Sequence, residues 1–126
     1  MVDTVDAVEK HPPDIFETMH IGFLMMPEYT LSTFSNAVSV LRMANRLSEK
    51  ELYRYSVFSL DGAPVVSSAG LELMLDGSLS SVGDMQVLIV CGGYNVKQYC
   101  TKATLAALRA MAKKNIPLGG ICTGSY

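Results

Sequence analysis

The chain has 126 residues, which is enough for one domain and too few for a second full one. Apolar residues make up 49% of it and charged residues 17%, a composition that can build a hydrophobic core and argues against a disordered chain. The formal net charge of −2 provides no basic field to attract a polyanion, so we do not expect this segment to bind nucleic acid by itself.

The cysteines and the amino-terminal residues exclude several further classes. The chain has three cysteines, Cys91, Cys100 and Cys122. Because their number is odd and they form no Cys-x-x-Cys pair, neither a disulfide framework nor a zinc site is expected. No other cofactor is predicted. The sequence starts with acids and prolines instead of a hydrophobic signal core, and no apolar run approaches the roughly 20 residues of a membrane span. These features favour a soluble, cytoplasmic protein with no membrane partner.

The first half of the chain predicts a tail, a strand, a helix and a second strand. Residues 1–18 are expected to form a flexible tail, because Pro12-Pro13 blocks regular pairing and the charges favour solvent. The run 20–26 is apolar, which is typical of a strand buried on both faces of a parallel sheet. Apolar residues recur at helical spacing over 34–44, and the alternating stretch 53–60 predicts a second strand.

The second half continues this alternation. Turn signals between short apolar stretches predict a hairpin over 65–75. The apolar run 87–90 is the clearest buried strand, and 105–114 has the spacing of a helix with basic residues near its C-terminal end. A last strand is predicted over 116–121. Strands that alternate with helices predict an α/β fold with a mainly parallel sheet.

Two glycine-containing turns follow predicted strands, at the sheet edge where open parallel sheets bind ligands. The first is Cys91-Gly92-Gly93-Tyr94-Asn95. Its glycines let a backbone N–H come close to a ligand, although an ordinary strand-to-helix turn has the same composition.

The second turn is Gly120-Ile121-Cys122-Thr123-Gly124, a cysteine framed by small residues directly after an apolar strand, as in a nucleophile elbow. In that geometry a following helix N-terminus favours the thiolate of Cys122, and the Thr123 N–H would donate to an oxyanion. A buried, inert cysteine is the alternative. If the two turns lie side by side, Gly93 and Thr123 supply the two N–H donors of one pocket.

These motifs resemble the ThiJ/PfpI superfamily of class I glutamine amidotransferase-like domains. Cys91-Gly92-Gly93 is similar to its Pro-Gly-Gly turn, and Cys122-Thr123-Gly124-Ser125 to the elbow of its AraC-type transcriptional regulators. The segment 37–47 resembles Ala-Val-Glu-Pro-Leu-Arg-x-Ala-Asn-Arg-Leu of the same regulators, with Ser39 and Val40 in place of Glu and Pro. The resemblance extends from Ile21 to Tyr126 and implies a flavodoxin-like three-layer sandwich.

The resemblance to the enzymes of the superfamily is less complete. Thr33 stands where enzymatic members carry a carboxylate, and Thr123 stands where many carry a histidine after the cysteine. No acid of this region is expected to be well placed to orient or deprotonate a partner. His20, at the start of the first strand, is expected to have a structural role. A thiol without a base or an orienting acid is a poor catalyst. Cys122 is therefore expected to occupy the nucleophile position without being catalytic.

By resemblance, residues 19–126 would be a partial amidotransferase-like domain, incomplete at the C-terminus, that senses a small metabolite for a homodimeric transcriptional regulator. Its DNA-binding helix-turn-helix would lie in a region absent from this chain. The effector would be an amino acid or a quaternary ammonium metabolite. The residues expected to bind it belong to the two turns and are Gly92, Gly93, Tyr94, Cys122 and Thr123.

Three tyrosines near predicted loops, Tyr29, Tyr94 and Tyr99, would attract a cationic effector, unless they serve only in packing. The alternative function is a cysteine-dependent hydrolase or deglycase-like enzyme of the same superfamily. A third possibility is an interaction fragment with a purely structural role.

Overall fold

The computed structural model describes residues 18–81, 83–93 and 95–121. Apart from Thr18, the predicted tail lies outside these ranges. The elements run in the order β1 (Met19–Met25), α1 (Leu31–Ser48), β2 (Tyr53–Ser59), β3 (Val65–Val66), β4 (Glu72–Leu73), β5 (Gly77–Ser78), a 3₁₀ turn (Leu79–Ser81), β6 (Val87–Cys91), α2 (Val96–Tyr99), α3 (Lys102–Lys113) and β7 (Leu118–Ile121).

A parallel sheet with the strand order β5-β2-β1-β6-β7 forms the centre of the structure. β1 is hydrogen-bonded on both sides, and Phe23 lies opposite Val57 of β2 and Ile89 of β6. A central strand of this kind is buried on both faces, which explains why its sequence is apolar without alternation. The predicted α/β fold with a mainly parallel sheet is confirmed, and the predicted hairpin forms as the antiparallel pair β3–β4.

Helices cover the two faces of the sheet. Successive residues of β1 point to opposite faces. On one face Phe23 and Met25 pack with Phe34 of α1, and the rings of Phe23 and Phe34 meet edge to face with centroids 5.4 Å apart. On the other face Leu24 and Met26 share a core with Met111 of α3. The result is a three-layer sandwich in which α1 and α3 lie on opposite sides of β1.

Asn45 fixes the C-terminal end of α1 to the start of β2. Its Nδ2 donates to the carbonyl oxygen of Tyr53 at 2.8 Å, and its Oδ1 accepts from the Tyr53 N–H at 2.9 Å. One side-chain amide thereby satisfies both backbone groups of Tyr53, as a neighbouring strand would. Asn45 belongs to the stretch that resembles the regulators, and the structure gives it a structural role.

We expect Asn45→Ala to lower the free energy of unfolding by about 1–3 kcal/mol, because it leaves the N–H and the carbonyl of Tyr53 without these partners. Chemical denaturation followed by circular dichroism measures the change. Asn36→Ala is the matched control, since Asn36 is an exposed asparagine on the same helix. Equal losses in the two variants would contradict the role given to Asn45.

Candidate functional site

The connections that follow β1 and β6 leave the sheet toward opposite faces. The chain after β1 enters α1 on one face, and the chain after β6 continues to α3 on the other. In open parallel sheets, ligands bind in the crevice outside the carboxyl ends of strands at such a switch point. The crevice between the carboxyl ends of β1 and β6 is therefore the candidate site.

The two predicted turns start next to each other at this edge. β6 and β7 are parallel neighbours with Cys91 opposite Ile121, and the Gly92 N–H approaches the carbonyl oxygen of Ile121 at 3.5 Å. Ile121 immediately precedes Cys122, so the strand ends have the arrangement that a shared pocket requires. Tyr94 and residues 122–126 lie outside the described residues. The pocket with two N–H donors therefore stays a prediction. The structure describes only the side of it that Gly92 and Gly93 form.

Gly93 is at a position where only glycine fits. It forms an antiparallel bridge with Tyr29, and the preceding carbonyl, that of Gly92, accepts from the Thr30 N–H at 3.1 Å. A Cβ at position 93 would collide with the carbonyl oxygen of Glu28 and lie 2.9 Å from the Cα of Tyr29. The close approach of two backbone segments therefore explains this glycine, and it brings the loops after β1 and β6 into direct contact.

Glu28 is a residue of the crevice that the sequence pattern did not reveal. Whether any acid can orient or deprotonate a partner of Cys122 stays a prediction, because Cys122 lies outside the described residues. Its carboxylate accepts from the Asn95 amide at 3.2 Å and from the Tyr99 hydroxyl at 2.6 Å. The hydrogen bond to Glu28 raises the pKa of Tyr99, because ionisation would lose this bond and place two negative charges side by side. Glu28 thus links the loop after β1 to α2.

Cys91, the first residue of the glycine turn, is a buried neutral thiol. Only 1% of its surface is exposed, and burial raises its pKa to about 12. At neutral pH this thiol is therefore protonated. Tyr29 is buried beside it, with its ring edge to face against Phe34 at a centroid distance of 6.0 Å. This environment favours packing as the role of Tyr29 over the contact with a cationic effector.

A cleft of about 230 Å³ opens beside the crevice, at the carboxyl ends of β1 and β2. Its lining includes Met25 and Met26 from β1 and its end, Asp61 from the end of β2, and Tyr99 and Thr104 near the start of α3. Tyr99 belongs to both features, since it lines the cleft and its hydroxyl binds Glu28. Wider depressions of about 410 and 490 Å³ lie beside β4 and the end of α1.

His20 lies at the opposite, amino-terminal end of β1. Its ring nitrogens contact the carbonyl oxygen of Asp84 and the hydroxyl of Ser56, both at 2.8 Å, in agreement with the structural role expected for it. Within residues 18–81, 83–93 and 95–121, no group of three His, Cys, Asp or Glu side chains has the arrangement of a metal site. No helix in those ranges combines the length and apolarity needed to span a membrane.

Sequence comparison identifies a family and two relatives of similar sequence. A model of the DJ-1/PfpI family matches residues 20–126. The HTH-type transcriptional regulator GbdR of Pseudomonas aeruginosa is 39% identical over 115 residues, a match that covers 91% of this chain and 31% of GbdR. CdhR, another HTH-type regulator of that species, is 38% identical over 103 residues, covering 82% of this chain and 30% of CdhR. The chain thus spans about a third of these relatives.

Solved structures give the same fold. An AraC family transcriptional regulator from Pseudomonas putida superposes with a TM-score of 0.70 at 29% identity, covering 81% of this chain and 55% of that one. A ThiJ/PfpI family protein from Pseudomonas syringae gives a TM-score of 0.68 at 21% identity, covering 99% of this chain and 50% of that one, and this likeness supports the fold alone. The flavodoxin-like α/β fold expected from the resemblance is confirmed.

We expect Gly93→Ala to destabilise the protein by about 1–3 kcal/mol, because the added methyl group forces the two loops apart. Gly83→Ala is the control, since a Cβ at position 83 meets no atom within 4 Å. Denaturation gives the stability. Amide hydrogen exchange at Thr30, whose N–H donates to Gly92, should also become faster in Gly93→Ala alone. Unchanged exchange at Thr30 would show that the loops tolerate a side chain there.

The buried thiol of Cys91 makes stability fall at alkaline pH. Its pKa is about 12 in the folded chain and 9.0 without burial, so between these values the unfolded state loses a proton that the folded state keeps. The free energy of unfolding should therefore fall as pH rises through this range, and Cys91→Val should reduce the slope.

Cys100 is exposed and should react with iodoacetamide in the native protein at pH 8, whereas Cys91 should not. Comparable labelling of both thiols would contradict the buried state of Cys91.

Proposed function

We propose that this chain, which belongs to the DJ-1/PfpI family, is the effector-binding domain of an AraC-type transcriptional regulator. The observation that carries the proposal is the crevice at the switch point, where the loops after β1 and β6 and the carboxylate of Glu28 converge. The relatives GbdR and CdhR, both named as HTH-type transcriptional regulators, support the regulatory role.

The chemistry of the crevice suits a small zwitterionic or cationic effector. The turn of Gly92 and Gly93 would form one wall of the pocket, which Tyr94, Cys122 and Thr123 complete in our proposal. The Thr123 N–H would donate to a carboxylate of the effector. On the other side, Glu28 carries negative charge and Tyr99 presents an aromatic ring to the adjoining cleft. Carboxylates and aromatic faces both attract cations. An amino acid would contact both ends, and the cationic group of a quaternary ammonium metabolite would contact Glu28 and Tyr99.

Binding at this position would act on two loops at once. Asn95 and Tyr99 donate to Glu28, so the loop after β1 and the start of the α2–α3 segment are connected through one carboxylate. A cation that competes for this carboxylate would favour a different arrangement of both loops, and a ligand shifts an equilibrium by its differential affinity for two states. In the complete regulator, which we propose to be a cytoplasmic homodimer, this shift would reach a DNA-binding region outside this chain.

A cysteine-dependent hydrolase or deglycase-like enzyme is the second candidate, and Glu28 is the observation that favours it. A carboxylate at the crevice is the kind of group that orients or deprotonates a catalytic partner. However, each carboxylate oxygen of Glu28 already accepts a hydrogen bond from another side chain. In this arrangement the carboxylate connects the two loops through its hydrogen bonds, and we propose the binding function as the better candidate.

We expect amino acids or quaternary ammonium compounds to stabilise the chain against heat, and Glu28→Gln to weaken their binding about tenfold, which corresponds to about 1.4 kcal/mol. Glycine, choline and tetramethylammonium are suitable probes, with thermal unfolding and calorimetry as the measurements. Glu49→Gln is the matched control, because Glu49 is also a glutamate with positive φ, 59° against 61° for Glu28, but caps the end of α1. If Glu28→Gln and Glu49→Gln bound the probes with equal affinity, Glu28 would not contribute to the binding site.

Cys122→Ser separates the two candidate functions. A binding domain should keep most of its affinity for the probes, since the serine retains the backbone and nearly the size of the cysteine. A cysteine-dependent enzyme should instead lose all turnover of an activated ester such as p-nitrophenyl acetate, because the thiolate is the nucleophile. Ester turnover by the native chain that disappears in Cys122→Ser would overturn the binding function in favour of the enzyme.

A further inference from the structure

One side of α1 exposes a row of large apolar side chains. Val40, Met43 and Leu47 are 67%, 46% and 77% exposed, and their spacing of three and four residues places them along one side of the helix. None of them belongs to the two core clusters that α1 and α3 form with the sheet. We call these three residues the α1 row. A contiguous apolar row at helical spacing is typical of a surface that contacts another segment.

The charged residues on α1 itself are basic, and just past its end Glu49, Lys50 and Glu51 line one depression with them. α1 contains Arg42 and Arg46, both exposed, and no acidic residue. Each arginine directly precedes a residue of the row, namely Met43 and Leu47. If the same face of a second copy bound here through a two-fold axis, the guanidinium groups of the two copies would approach one another. An acidic segment with apolar side chains is the better match.

We propose that residues 2–9 of this chain bind the α1 row. In this segment each of three valines is followed directly by an acidic residue, in the pairs Val2-Asp3, Val5-Asp6 and Val8-Glu9. The segment therefore has three acidic residues and no basic one, against two arginines and no acid on α1. The valines would cover the apolar row, while the carboxylates would lie near the arginines.

The connection to the described part of the chain makes this contact geometrically accessible. The hydroxyl of Thr18 donates to the carbonyl oxygen of Glu51 at 2.7 Å, and the Met19 N–H donates to that of Leu52 at 2.9 Å. Glu51 follows the C-cap of α1 by two residues, so the chain reaches Thr18 beside the end of the helix that carries Leu47. The eight intervening residues, 10–17, extend up to about 26–29 Å. The α1 row spans only about 10 Å, at 1.5 Å per residue.

The absence of tryptophan from the sequence provides a direct test. In the 126-residue chain, Val5→Trp introduces a single tryptophan at a position proposed to be covered, and Thr4→Trp introduces one between the valines. We expect Val5→Trp to emit at shorter wavelength and to resist acrylamide quenching better than Thr4→Trp. Adding Leu47→Glu to Val5→Trp should abolish both differences. Circular dichroism of the Leu47→Glu variant checks that a substitution at this exposed position leaves the fold intact.

Charge exchange tests the electrostatic part. Arg42→Glu with Arg46→Glu should release the tryptophan of Val5→Trp into solvent, and adding Asp3→Arg with Asp6→Arg should restore the protected signal. About 1 M salt, which shortens the Debye length to about 3 Å, should weaken the contact in the native charge arrangement. A Val5→Trp signal equal to that of Thr4→Trp would overturn the proposal. A protected signal that vanishes on dilution would also overturn it, because a second copy would then be the occupant.

Discussion

The pairing of β1 with two parallel neighbours is the constraint on which the rest of the structure depends. β1 is hydrogen-bonded to β2 and β6, and its two faces contribute to two separate cores. Such a strand has no solvated face, so its polar chemistry is confined to its ends. Because the chain leaves β1 and β6 toward opposite faces, the carboxyl end of β1 borders a crevice. The position of the candidate site thus follows from the burial of one strand.

The backbone around the crevice is held by contacts that leave little freedom. The Glu28 N–H donates to the carbonyl of Val66 at 2.9 Å, and the Ser68 N–H donates to that of Tyr29 at 2.8 Å, so the segment after β3 packs on the loop after β1. Gly93 contacts the same loop from the other side. A loop fixed from two sides keeps the carboxylate of Glu28 in place before a ligand arrives, which lowers the ordering cost of binding.

The sequence predicted those elements whose signal is local. The apolar runs of β1 and β6 and the helical spacing of α1 and α3 need no distant partner to be recognised. β5 is different, since Gly77 and Ser78 take strand geometry by pairing with Phe58 and Ser59. The role of Glu28 depends on partners 67 and 71 positions away, a relation that no local pattern encodes. The glycine turn was visible from its composition, whereas the contact that requires Gly93 was not.

The left-handed backbone conformation of Glu28 is a second reason to propose a role for its carboxylate. Three described residues other than glycine have positive φ, and Glu49 and Asn115 lie just after helices, where a left-handed residue commonly ends the helix. Glu28 ends no helix. A left-handed conformation costs a residue with a Cβ about 1–2 kcal/mol, and a glycine would avoid that cost. The strain is offset by the surrounding hydrogen bonds, and strained residues of this kind cluster at ligand sites. A glycine would keep the turn and lose the carboxylate that joins the two loops, so the conformation and the charge together support the role that we propose for Glu28.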